Sequence, residues 1–196
     1  DKFEELLISA PQAGYATGQS SIIFGNDKLL TRQKAANGSE FFPNVISLLP
    51  GASDDVLVLN GGLPQDLAGF GVGKAPDLNG DGVPDVLLTA PFAQQAYVTF
   101  GYSWLAKEGS IRLDKLANDQ GVIIARYNGS QPAFKNDGKV VADLGDINGD
   151  GFADVAVSGN GQSVLIEFGE TTRELLDDSS GTNRLAINGR NGTPGN

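Results

Sequence analysis

Asp77-Leu-Asn-Gly-Asp-Gly-Val-Pro-Asp85 and Asp146-Ile-Asn-Gly-Asp-Gly-Phe-Ala-Asp154 are two copies of one pattern, D-x-N-G-D-G-x-x-D. Asp77, Asn79, Asp81 and Asp85 put side-chain oxygens at loop positions 1, 3, 5 and 9 of the first copy. Asp146, Asn148, Asp150 and Asp154 do the same in the second. Alternating oxygen donors in a tight loop suit a hard cation that takes roughly six to eight oxygens, which means Ca²⁺. Gly82 and Gly151 at position 6 permit the sharp turn, and the backbone carbonyls of Val83 and Phe152 at position 7 are further candidate ligands. The three carboxylates of each loop repel one another unless a cation compensates them. Asp, Asn and Gly are also ordinary turn residues, so the plain alternative is a solvated acidic turn. Two occurrences in the same surroundings weigh against it.

The residues that follow each loop separate two calcium architectures. A helix–loop–helix site needs a bidentate acid at position 12 and a helix after it. Position 12 is Leu88 in one copy and Val157 in the other. The segments Asp85-Val-Leu-Leu-Thr-Ala and Asp154-Val-Ala-Val-Ser are short, apolar and rich in β-branched residues, so they read as buried strands. The expected site is therefore a strand–loop–strand turn.

Composition agrees with an all-β chain. The 196 residues are 40% hydrophobic and include 27 Gly and 9 Pro, as expected for many short strands joined by glycine-rich turns. The formal charge is −10, with no basic run, which argues against nucleic acid or an anionic membrane as partner. No apolar run reaches the length of a membrane span, so membrane insertion is not expected. There is no Cys and hence no disulfide framework, and no His, the usual general base. There is also no Met, and the chain reads as a segment of something longer.

Three markers recur along the chain. Phe24-Gly25, Phe100-Gly101 and Phe168-Gly169 each end an apolar run, 76 and 68 residues apart. Asn60-Gly61, Asn128-Gly129 and Asn188-Gly189 end another. Ala10-Pro11 and Ala90-Pro91 form the third, replaced by Gly159-Asn160 in the last unit. Each unit then reads as four short strands: A before the loop (71–75 and 139–144), B after it (5–9, 85–89 and 154–158), C ending in Phe-Gly and D ending in Asn-Gly. Four-stranded units at this period indicate propeller blades. Alignment on Ala-Pro places Asp1, Phe3 and Glu5 where the second half of a further loop stands, although Lys2 occupies its glycine position.

These residues resemble the FG-GAP repeat of integrin α-subunit β-propellers, which also occurs in bacterial surface and secreted proteins. The resemblance implies an all-β, partial β-propeller of four-stranded antiparallel blades with Ca²⁺-binding loops between strands A and B. The expected units are an incomplete first blade with a long insertion (1–60), a second blade (61–128), a third (129–190) and a frayed tail (191–196). The long C–D connections, 26–55 and 102–120, are expected to carry short helices at 29–36 and 103–107. Phe24, Phe70, Phe100 and Phe168 are expected to pack within blades, and Trp104 is a candidate surface contact. Asn37, Asn128 and Asn191 stand in glycosylation acceptor patterns that turn chemistry explains equally well.

The functional expectation is a non-catalytic, extracellular or cell-surface binding and adhesion module with Ca²⁺ at two loops and at a degenerate third. The expected partner is a protein or a glycan, with further blades or self-association at the open edges. The alternatives are the propeller portion of a larger secreted hydrolase, or a structural spacer. By the resemblance, partner contacts fall on the B–C and D–A connections (90–95, 159–162, 61–70 and 129–138), with Gln65, Gln94, Gln95 and Lys135 as contact candidates. The rival surface is the insertion around Trp104 and Lys107, on the cation side.

Overall fold

The computed structural model describes residues 4–26, 33–34, 37–41, 48, 54–101, 109–126, 140–158, 163–171 and 184–188. In chain order the strands are β1 (Leu6–Ala10), β2 (Gln19–Ile23), β3 (Gln33–Lys34), β4 (Glu40–Phe41), β5 (Val56–Asn60), β6 (Val72–Ala75) and β7 (Asp85–Ala90). They continue with β8 (Gln95–Thr99), β9 (Ser110–Arg112), β10 (Gly121–Arg126), β11 (Val141–Gly145), β12 (Asp154–Ser158), β13 (Ser163–Glu167) and β14 (Arg184–Asn188). No helix among the described residues is long and apolar enough to cross a membrane.

Sequence and structure agree on the A, B, C and D strands. Short β-branched runs bounded by Gly, Pro, Asn and Asp become antiparallel meanders. Strands β6, β7, β8 and β10 form one four-stranded sheet, and β11, β12, β13 and β14 form another. A third sheet has the order β1-β2-β5-β9. In β7 the residues facing one side (Leu87) and the other (Leu88) are both buried, because this sheet is covered on both faces. Leu87, Val98 and Phe100 meet Val155, Val157 and Leu165 of the next sheet. Leu88, Ala90 and Tyr97 meet Ile22, Leu57 and Leu59 of the preceding one. Face-to-face stacking of successive sheets is the packing of propeller blades; no closed ring is seen among the described residues.

Three expectations need correction. The first sheet is not wholly antiparallel, since β9 pairs in parallel with β5, Val58 opposite Ser110. This strand comes from the C–D connection of the second unit and crosses to the edge of the first. An uncovered edge presents unpaired N–H and C=O groups. Ile111 and the neighbouring Leu113 gain burial in the core between the two sheets when the connection lies there. Secondly, the helix expected over 29–36 is interrupted by β3, which pairs with β4. Asn37 closes the intervening turn, its Oδ1 accepting from the N–H (3.0 Å) and hydroxyl (2.6 Å) of Ser39, so turn chemistry prevails over helix propensity. Thirdly, Phe70 is 45% exposed and does not pack within a blade, whereas Phe100 is fully buried. The segment 103–107, Trp104, Lys107, Lys135, Asn128, Asn191 and the tail lie outside the described residues.

Candidate functional site

The loop of residues 77–85 is the turn between β6 and β7, and that of residues 146–154 joins β11 to β12; Ala75 faces Asp85 and Gly145 faces Asp154 across the two hairpins. The conformation of each loop is written by its own side chains. In the first, Asp77 accepts from the N–H groups of Asp81 (2.8 Å) and Gly82 (2.6 Å). Asn79 Oδ1 accepts from Asp81 N–H (3.3 Å), and its amide donates to Asp81 Oδ2 (3.0 Å). Asp81 Oδ1 accepts from Val83 N–H (2.8 Å). In the second loop Asp146, Asn148, Asp150 and Phe152 repeat every one of these bonds, at 2.8–3.1 Å, and Asp146 additionally accepts from Gly149 N–H. Asx-type turns of this kind need an oxygen-bearing side chain at alternate positions, which is why the pattern survives in both copies.

The position-9 carboxylates belong to a different layer. Asp85 and Asp154 are buried. Asp85 Oδ2 accepts from Leu78 N–H and Oδ1 from Gly101 N–H, both at 2.9 Å. Asp154 makes the equivalent bonds with Ile147 (2.8 Å) and Gly169 (3.0 Å). The glycine of each Phe-Gly marker is thereby explained. A Cβ on Gly101 would sit 2.1 Å from the Pro84 carbonyl oxygen, and one on Gly169 2.2 Å from that of Ala153, so only glycine lets the strand end approach the acid. These two N–H donors were not foreseen as part of the loop. The periodic Phe-Gly, read together with the position-9 acid, is the signal that identifies them.

Burial pushes the Asp85 carboxyl up to about 7. The Gly101 and Leu78 N–H groups pull against that rise, and the charges of Asp81 and Asp77 add to it. A carboxylate shut away from water beside two like charges favours a compensating cation.

The donor chemistry fits Ca²⁺. Each loop offers three carboxylates, one amide oxygen and the carbonyl of Val83 or Phe152, all hard oxygen groups within nine residues. Among the described residues, no three His, Cys, Asp or Glu side chains are already gathered as a cage; the carboxylates are turned to their own backbone N–H groups, with further lone pairs left over. For the degenerate third loop, Asp1 and Phe3 lie outside the described residues, and Glu5 is exposed.

The FG-GAP repeat family model matches residues 68–105. That stretch takes in β6, the first loop, β7, β8 and the Phe-Gly, so the chain carries an FG-GAP repeat there, within an all-β fold of stacked, mainly antiparallel sheets. No curated protein matches the chain significantly.

Proposed function

We propose that this chain is a calcium-stabilised, propeller-type binding module that works outside the cell and has no catalytic centre of its own. The observation that carries the proposal is the array of oxygen donors built twice, with the same hydrogen bonds, at equivalent turns of two sheets. Asp77, Asn79, Asp81, Asp85 and the Val83 carbonyl would hold one Ca²⁺; Asp146, Asn148, Asp150, Asp154 and the Phe152 carbonyl would hold the other. The ion's role is to neutralise the loop carboxylates and so stiffen each hairpin. Modules of this kind with millimolar-class affinity suit extracellular calcium levels. Catalysis is assigned elsewhere because the chain has no His or Cys to pair with a nucleophile.

Partner recognition, of a protein or a glycan, belongs on the side of the B–C and D–A connections. Tyr15, Leu63, Phe70 and Phe92 are exposed large apolar side chains on those connections. Among the described residues, the non-glycine residues with positive φ (Tyr15, Ala16, Gln65, Leu67 and Gln94) fall on the same connections. Exposed aromatic area and backbone held in sparsely populated conformations both gather at binding sites.

Thermal melts in Ca²⁺ and in chelator test the cation reading. Binding to the folded state alone adds about 2.7 kcal/mol per site at a hundredfold excess over Kd, and Asp81→Ala and Asp150→Ala should each remove one site's share. Identical midpoints with and without Ca²⁺ would overturn it. For the partner side, Tyr15→Ala and Phe92→Ala should weaken capture of a protein or glycan retained by the immobilised wild-type chain, while the Ca²⁺-induced midpoint shift is unchanged.

A further inference from the structure

The two loops touch. The Phe152 ring, at position 7 of the second loop, lies on Gly80 at position 4 of the first, so that a Cβ on Gly80 would be 2.4 Å from Phe152 Cε1. A separate connection runs through the backbone. Leu78, at position 2 of the first loop, accepts from Glu170 N–H through its carbonyl (3.1 Å). The residue before Glu170 is Gly169, whose N–H holds Asp154 Oδ1 at position 9 of the second loop (3.0 Å). Both links join a segment carrying proposed ligands in one loop to a segment carrying them in the other. Asn79 and Asp81 flank Gly80, and the Phe152 carbonyl belongs to the residue whose ring makes the contact.

We infer that the loops bind cations as a coupled pair, each raising the affinity of the other; this rests on the calcium reading above. Ordering one loop costs conformational freedom, and a neighbour already ordered against it lowers that cost for the second ion. Electrostatics opposes the effect, because loading one loop removes negative charge that attracts the second ion. Salt screens that opposition over about 8 Å at physiological ionic strength, whereas the ring contact and the hydrogen bonds act at contact distance. Positive coupling requires packing to outweigh charge at physiological salt, and the coupling then grows as salt is raised. Coupling between binding sites is reciprocal, with typical factors of about 5 to 150.

Calorimetric titration with Ca²⁺ at physiological salt tests the inference. In Asp81→Ala the second loop should bind about fivefold or more weakly than the second-loop site of wild type, and in Asp150→Ala the first loop should weaken by the same factor. Phe152→Ala removes the ring and should reduce the coupling towards independence; Phe152→Leu, which retains apolar bulk, should keep part of it. Hydrogen exchange supplies a readout without metal: Phe152→Ala should speed exchange at Gly80 and Asp81. Two sites that bind independently in wild type would overturn the coupling and leave the calcium reading intact. Wild-type protein with no Ca²⁺ binding would overturn both.

Discussion

The first and second loops have the same residue at six of nine positions and nearly the same internal hydrogen bonds, yet they live in different surroundings. Position 2 shows it most clearly: Leu78 is fully buried, and its counterpart Ile147 is 51% exposed. Asn79 is buried, whereas Asn148 is exposed. The first loop is covered by the second, through Phe152 and the segment at Gly169 and Glu170. No described residue covers Gly149 in the same way, since a Cβ there would meet nothing within 4 Å. Local sequence thus dictates the loop's conformation, while its place in the stack dictates how much stability each residue carries.

The largest test of that contrast is a pair of truncations. Leu78→Ala should cost about 2–5 kcal/mol, as for a buried leucine, and Ile147→Ala about 0.5 kcal/mol or less, as for a surface site. Urea unfolding of the two variants measures both, and equal costs would mean that the loops are equally buried in solution.

A pH series reads the first loop through Asp85. Its folded-state value, about 7, lies above the ordinary 3.8. The folded state therefore binds the proton more tightly than the unfolded state. The associated stability is fully present below the ordinary value and is lost as pH rises through about 7. In chelator, stability should fall across this window by at most about 1.4 kcal/mol per pH unit from this one proton. Asp85→Asn should flatten that part of the slope in denaturant titrations at several pH values. An unchanged slope would show that Asp85 is not the group responsible.

A smaller effect separates the two position-4 glycines. Both have positive φ, +72° at Gly80 and +81° at Gly149, so alanine is strained at either. Only at Gly80 must the Phe152 ring also move. Gly80→Ala should exceed Gly149→Ala in cost by about 1–3 kcal/mol, the usual range for overpacking, and the lower end applies if the ring swings aside. Equal unfolding midpoints for the two variants would remove the contact on which the coupling of the loops depends.

Strand positions were legible from the sequence because short-range chemistry decides them. The B strands Asp85–Ala90 and Asp154–Ser158 begin at the position-9 acids, and the C strands stop one residue short of each Phe-Gly. The loops' oxygen-bearing residues were legible too, but the bonds those side chains make to backbone N–H groups two to seven residues away were not read from the sequence. The FG-GAP repeat was read as a family resemblance carried by the Phe-Gly, Ala-Pro and D-x-N-G-D-G-x-x-D markers, and the family model matches it at residues 68–105. The insertions were not legible. Nothing in Ser110-Ile-Arg112 announces a parallel strand on another unit's edge, because that pairing is selected by an edge about fifty residues away in the chain and by the burial of Ile111 and Leu113.

By itself, then, the sequence determined what depends on neighbours along the chain: the repeat, the boundaries of its strands and the oxygen-bearing residues of the two loops. Only the tertiary structure decided which loop is covered and which is open, that Phe152 of one lies on Gly80 of the other, and that Phe70 faces outward. The physical reason is that side-chain hydrogen bonds within a turn are set by a few dihedral angles, whereas burial is set by whatever surface the stacked sheets bring opposite. Two copies of one motif can therefore share nearly every local bond and still differ in what each contributes to stability.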